Sequence, residues 1–142
     1  MVDIDYVNAN YPHVPDLKRR AKARMPRFAF DYLEEGCMEE HGVARNYRAI
    51  DEVLLQGSLL KPFDKSDLSV ELFGHTYAAP FGIAPVGLQG LMWPRAPEIL
   101  AKAAADKNIP YVLSTVSSAS LESIAEISEG KAWFQFYNPT SD

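Results

Sequence analysis

At 142 residues, with 47% hydrophobic side chains, the chain has material for one ordinary domain core and is too apolar to be disordered. Nineteen Asp and Glu against 14 Lys and Arg leave a formal net charge of -5, which argues against a general affinity for nucleic acid or anionic membrane. One cysteine, Cys37, cannot close an internal disulfide, and no Cys/His spacing suits zinc, so a reducing compartment fits best.

Met1 to Asn10 carries Asp3 and Asp5 and lacks a basic start and an apolar core, so it does not read as a secretory signal. The apolar stretches are too short and interrupted to span a bilayer, and a cytoplasmic protein is expected. Pro15-Asp16 opens a helix through about Arg24. Pro26 starts another, carrying Phe28, Phe30, Tyr32 and Leu33, with Gly36 placed to stop it. Residues 39 to 50 read as a third helix. Ser69–Phe73 and His75–Ala79 are extended runs around Gly74, a β-hairpin suited to plugging the bottom of a barrel. A buried strand follows at 81 to 85, then an Ala-rich helix from Pro94 to Lys107. Next come a strand at Pro110–Leu113, a helix from Ser120 to Ser128 and a strand from Ala132 to Tyr137.

This β-α-β-α-β order demands a parallel α/β sheet, either open and doubly wound or closed as a (β/α)8 TIM barrel. No Gly-x-Gly-x-x-Gly and no Gly-Lys-Ser/Thr loop supports a nucleotide fold. A barrel normally needs about 250 residues, and this chain ends in the loop Asn138–Asp142 after its third strand. The expectation is therefore the N-terminal part of one barrel domain: a helical lead-in at 1–65, the hairpin at 66–79 and the first barrel strands at 80–142.

In such a fold the site is built at the C-terminal ends of the strands, which directs Pro85-Val86-Gly87, Ser114-Thr115 and Gln135–Tyr137 to one mouth. Each has a plainer reading. Pro and Gly serve any turn, and any hydroxyl between Ser114 and Ser118 can satisfy turn backbone. Gln135, inside the apolar run Trp133–Tyr137, can bond neighbouring backbone, and the aromatic stripe around Tyr32 can simply pack a helix.

The run Ala79–Gly90, continued to Trp93-Pro94, resembles the first barrel strand and loop of the FMN-dependent 2-hydroxy acid dehydrogenase/oxidase family, which includes glycolate oxidase and the flavin-type lactate and mandelate dehydrogenases. Phe134-Gln135-Phe136-Tyr137 resembles its Phe-Gln-x-Tyr motif, and Phe30-Asp31-Tyr32, with Gly36 and Arg45-Asn46 in register, extends the likeness from about Arg27 to Tyr137. The resemblance implies FMN as cofactor, with Pro85, Val86 and Gly87 lying against the flavin ring. It makes Ser114, with Thr115 as a second candidate, and Gln135 flavin contacts. Tyr137 is implied as a substrate contact that stabilises charge as the 2-hydroxyl is oxidised, and Tyr32 as a residue that helps hold the substrate carboxylate. Several dehydrogenases of the family have Gly where Gly87 stands and glycolate-type oxidases have Ala, which implies electron transfer to a quinone or other carrier rather than to oxygen.

The family's catalytic histidine, carboxylate-binding arginines, flavin-stabilising lysine and phosphate-binding loop are expected beyond Asp142, so the chain alone is expected to be catalytically silent. His13 in the N-terminal loop, His41 at a helix start and His75 in the hairpin turn follow no barrel strand. The basic run Lys18, Arg19, Arg20, Lys22, Arg24 and Arg27 reads as a solvated helix face. The expected activity is oxidation of a small L-2-hydroxy acid to the 2-keto acid, with a homo-oligomeric full-length protein and, as a variant of the cytoplasmic location, peripheral attachment to a membrane's inner face. The alternatives are another FMN-binding barrel, such as a diphosphate isomerase, or a truncated non-catalytic product. No metal site is expected.

Overall fold

In the computed structural model, residues 3–57, 59, 60, 62 and 65–138 are described, and the expected terminal loop falls outside them from 139 onward. The chain divides into two units, Met1–Asp64 and Lys65–Asp142.

The first unit is helical. Asp3 caps α1 (Ile4–Asn10) by accepting from the Asp5 and Tyr6 amides at 3.0 and 3.1 Å. This helix was not foreseen in the sequence. α2 (Val14–Arg24) begins with Pro15 in its first turn and with Asp16 reaching back to the His13 amide at 3.2 Å. α3 (Arg27–Glu34) follows Pro26 and buries Ala29 and Phe30, with Lys22 over the Phe30 ring at 5.7 Å. Phe28, Tyr32 and Leu33, which sequence patterning groups with Phe30, stay exposed.

Gly36 plays a different part from the helix stop expected of it. α3 ends at Glu34, and Glu35 makes the extended exit. A Cβ at Gly36 would come within 2.5 Å of Val43 Cγ2, so glycine there eases the approach of α4 (His41–Asp51). The basic run is solvated as expected: Lys18 pairs with Glu34, Arg19 with Asp16, and Arg27 with Asp31 at 3.4 Å. Such exposed pairs contribute at most about 1 kcal/mol each.

The second unit begins with the hairpin. β1 (Val70–Leu72) pairs antiparallel with β2 (His75–Tyr77) in the register Val70↔Tyr77 and Leu72↔His75, so His75 opens a strand instead of occupying the turn. The two turn residues, Phe73 and Gly74, both have positive φ, 51° and 79°. A two-residue hairpin of this hand demands that conformation, which glycine adopts freely and phenylalanine does not. Phe73 is held there by an edge-on contact of its ring with Trp133, 5.2 Å between centroids.

After α5 (Gln89–Met92) and α6 (Ala96–Lys107) come β3 (Val112–Leu113), α7 (Leu121–Ile127) and β4 (Trp133–Phe134). β3 and β4 are parallel, Val112 opposite Trp133. The strand expected at 81–85 is reduced to one parallel bridge, Ile83 to Tyr111. Its bonds are Ile83 N to Pro110 O at 2.8 Å and Val112 N to Ile83 O at 3.0 Å. Pro80 and Pro85, which lack amide donors, bracket that short pairing. The strands expected at 110–113 and 132–137 are likewise shorter than the sequence suggests.

Ala101 and Ala104 of α6, Tyr111 and Leu113 of the sheet and Ile124 of α7 form the core. Burying Leu113 and Ile124 stabilises by about 1.5–3 kcal/mol each. Small residues on α6 let that helix lie close on the sheet. α6 begins at Ala96 instead of Pro94 because Arg95 takes φ 60° as its cap. It ends in Asn108, whose Nδ2 donates to Thr76 O at 3.0 Å and whose carbonyl accepts from the Ala78 amide at 2.8 Å. The helix end is thereby tied to the hairpin, below the N-terminal ends of the strands.

Candidate functional site

Three loops leave the C-terminal ends of the parallel strands, and hydrogen bonds join them in sequence. Leu88 N donates to Val116 O at 3.0 Å, linking the loop after Ile83 to the loop after β3. The Thr115 hydroxyl then links the loop after β3 to the end of β4, donating to Gln135 O and accepting from Tyr137 N at 3.3 Å. Pro85, Val86, Gly87, Ser114, Gln135 and Tyr137 all lie on these linked segments. Tyr32 lies in the first unit, exposed on α3.

In the first loop Pro85 and Val86 are half-buried and Gly87 is buried. The positive φ belongs to Leu88 (53°), which caps α5, and not to Gly87. α5 returns the chain immediately, and a Cβ at Gly90 would stand 2.9 Å from Ser118 Cβ, so glycine there lets α5 meet the loop after β3. Gln89 is buried, and its Oε1 accepts from the Tyr111 hydroxyl at 3.4 Å. The sequence reading passed over this pair, although a glutamine next to an apolar strand is the signal for such a partner. Burial raises the Tyr111 pKa from its ordinary 10.0, with the negative charge of Glu98 adding to the effect.

Ser114 is buried, and its Oγ accepts from Val116 N at 3.3 Å. The plainer reading of this serine, a hydroxyl serving its own turn, matches that bond. Its hydroxyl proton has no acceptor among the described residues and can be donated to a ligand. Thr115, the second candidate for a flavin contact, spends its proton on Gln135 O. The Gln135 amide N–H completes the ladder to Leu113 O at 2.8 Å, while its half-buried side-chain amide has no hydrogen-bond partner among the described residues. Tyr137 is exposed.

The edge of a planar heterocycle that both donates and accepts would need groups of these kinds. Ser114 offers a donor, Gln135 offers a donor and an acceptor, and the buried glycine of the first loop presents backbone without a side chain. A cavity of about 340 Å³ runs along the sheet beneath, lined by Leu72, Ile83, Val112 and Trp133 with Ala84 and Pro85 at the loop side. Among the described residues no cluster of three His, Cys, Asp or Glu is arranged to hold a metal ion. No helix among them is long and apolar enough to cross a membrane.

A family profile described as FMN-dependent dehydrogenase matches residues 21–142. Among curated proteins, the L-lactate dehydrogenase of Pseudomonas syringae pv. syringae (strain B728a) is 40% identical over 122 residues, covering 86% of this chain and 32% of that protein. The chain thus spans about a third of the length of the curated relatives it matches. Among solved structures, a soluble mutant of the membrane-associated (S)-mandelate dehydrogenase from Pseudomonas putida superposes with a TM-score of 0.81 at 36% identity, covering 90% of this chain and 37% of that one. A mandelate oxidase variant with an FMN adduct superposes at 0.78 with 34% identity, covering 86% of this chain and 37% of that one.

Proposed function

Since the chain belongs to the FMN-dependent dehydrogenase family, whose solved relatives are TIM-barrel flavoenzymes, we propose that it forms the flavin-edge part of an enzyme oxidising a small L-2-hydroxy acid to the 2-keto acid. The observation that carries this reading is the linkage of three strand ends through Leu88–Val116 and Thr115–Tyr137. It joins the segments that bear Val86, Gly87, Ser114, Gln135 and Tyr137 within one sheet edge.

FMN, when bound, would take up the two electrons that leave the substrate. The protein's part is orientation and charge. Pro85, Val86 and Gly87 would lie against the ring, Gly87 keeping that surface open. Ser114 would donate its unclaimed proton to the ring system, and the free amide of Gln135 would pair with a donor-acceptor edge. Tyr137 would hydrogen-bond the substrate at the reacting carbon's oxygen, and Tyr32 would hold the substrate carboxylate. The group that takes the hydroxyl proton is proposed to come from sequence outside this chain. His13 caps α2, His41 opens α4 and His75 opens β2, none of them at a C-terminal strand end.

Lactate and mandelate, the substrates in the relatives' names, mark the substrate class. A quinone or similar carrier is the proposed electron acceptor, and a homo-oligomer the proposed assembly. The protein is proposed to be cytoplasmic or peripheral to a membrane, a relative being described as membrane-associated. The test is anaerobic addition of L-lactate, glycolate and (S)-mandelate to the FMN-loaded full-length protein. Loss of oxidised-flavin absorbance with one of them is expected, and an unchanged spectrum with all three in protein that holds FMN would reject the reading.

A further inference from the structure

The parallel ladder ends before the residue proposed to meet substrate. Its last bond is Gln135 N to Leu113 O at 2.8 Å, and neither Phe136 nor Tyr137 pairs with β3. Both side chains are exposed in this chain. Among the described residues the one hydrogen bond made by Tyr137 is the 3.3 Å donation from its amide to Thr115 Oγ1. The same hydroxyl donates to the carbonyl of Gln135. A single side chain on the neighbouring strand's loop therefore brackets the two peptide units from which the Gln135 amide and the Tyr137 phenol project.

Resting on the assignment of Tyr137 to substrate, we propose that Thr115 is a positioning residue: its hydroxyl continues the β3–β4 ladder by one side-chain step and holds the Tyr137 phenol in the orientation that meets the 2-hydroxy acid. The hydroxyl's donor and acceptor are both used on protein backbone, which leaves no proton for the flavin and separates its role from that of Ser114. The β-branched side chain suits the task, because its restricted χ1 aims the hydroxyl with little rotational freedom. Loss of the bond would let the chain after Phe134 pivot about the Gln135–Leu113 contact. A displacement of order 1 Å at a reacting group costs up to about a hundred-fold in rate.

The test uses the FMN-loaded full-length protein with Thr115→Val, Thr115→Ser, Tyr137→Phe and the Thr115→Val/Tyr137→Phe double variant. Thr115→Val keeps the shape and removes the hydroxyl. It is expected to retain FMN and the wild-type melting temperature while kcat falls about ten- to a hundred-fold, and Thr115→Ser is expected to restore activity to within about twofold. In the Tyr137→Phe background Thr115→Val is expected to add nothing, since the hydroxyl whose position it governs is already gone. A second readout is anaerobic titration with oxalate followed by the flavin spectrum, in which Thr115→Val is expected to weaken oxalate binding and Thr115→Ser is not. A Thr115→Val loss that multiplies undiminished with Tyr137→Phe, or that accompanies release of FMN or a lowered melting temperature, would overturn the positioning role alone. Wild-type protein that holds FMN but bleaches with no 2-hydroxy acid would overturn it together with the functional reading.

Discussion

The amide of Leu88 donates to the carbonyl of Val116 at 3.0 Å and so makes one rigid step of two loops that leave different strands. Leu88 takes a left-handed φ of 53° to do this. A strained non-glycine residue persists only where its surroundings over-determine it, and here the bond to Val116 and the start of α5 supply that. The surface offered by Val86 and Gly87 is thereby fixed relative to Ser114 before any ligand arrives.

Gly82 is the position most sensitive to a methyl group. A Cβ there would stand 2.5 Å from Pro110 O and 2.8 Å from Pro110 Cβ, backbone and ring that have little room to yield. Gly82→Ala in the full-length protein is expected to destabilise by about 1–3 kcal/mol. Chemical denaturation checks this, and a midpoint equal to wild type would show that the two strands separate more easily than the close contact implies.

Replacing Tyr32 or Tyr137 by Phe removes one hydroxyl and keeps the ring. FMN affinity is expected to persist while kcat/KM falls about ten- to a hundred-fold, the worth of a hydrogen bond to a charged ligand, about 1.5–3 kcal/mol. Both side chains are exposed in this chain, so neither substitution is expected to lower stability. Steady-state kinetics unchanged in both variants would remove the tyrosines from the site.

Gly87 is buried and does not take a positive φ. The reduced full-length protein is expected to pass electrons to a soluble quinone faster than to oxygen, and Gly87→Ala is expected to shift that ratio toward oxygen by changing the room beside the ring. Stopped-flow reoxidation by each oxidant decides it. Oxygen outpacing the quinone in the wild type would overturn the assignment of acceptor.

Burial raises the pKa of Tyr111 in the folded state above its ordinary 10.0, so between the two values the folded protein keeps a proton that the unfolded chain has released. Stability from this group is complete below pH 10 and is lost as pH rises through the folded-state value. Tyr111→Phe is expected to lessen the alkaline loss while costing some stability at neutral pH through the Gln89 contact. Unfolding midpoints between pH 8 and pH 11.5 that fall equally in both proteins would locate the alkaline sensitivity elsewhere.

The helices of this chain are legible because local chemistry starts and stops them: Pro15 and Pro26 open two, Ser120 caps α7 through Ser123 N at 3.2 Å, and Gly130 at φ 74° closes it. Asp3 is a cap of the same kind, and α1 was readable on that ground. The strand at Ile83 is shorter than its apolar run because pairing is decided by what Pro110 and Tyr111 present across the gap. Gly36 meets Val43 of the following helix and Gly82 meets the distant Pro110, so inspection of their own surroundings suggests only a turn. The candidate residues at the three strand ends follow from parallel topology, which the β-α-β-α-β order sets. The dual bond of Thr115 does not, since nothing in a run of hydroxyl residues says which of them faces another strand.

The ring of Phe73 rests on Trp133, and the Tyr77 hydroxyl donates to Lys131 O at 3.4 Å across 54 residues of sequence. These are the hairpin's anchors, and they impose a timetable. On the ribosome the hairpin emerges first but has nothing to dock on until α6, β3 and α7 have followed, because closure of so long a segment precedes the contact that rewards it. Through that interval the Tyr77 ring, buried in the folded chain, stands in water on a nascent chain, a surface for chaperones to hold. Pulse-labelled amide exchange during refolding would show the delay as late protection of Tyr77 relative to Leu113.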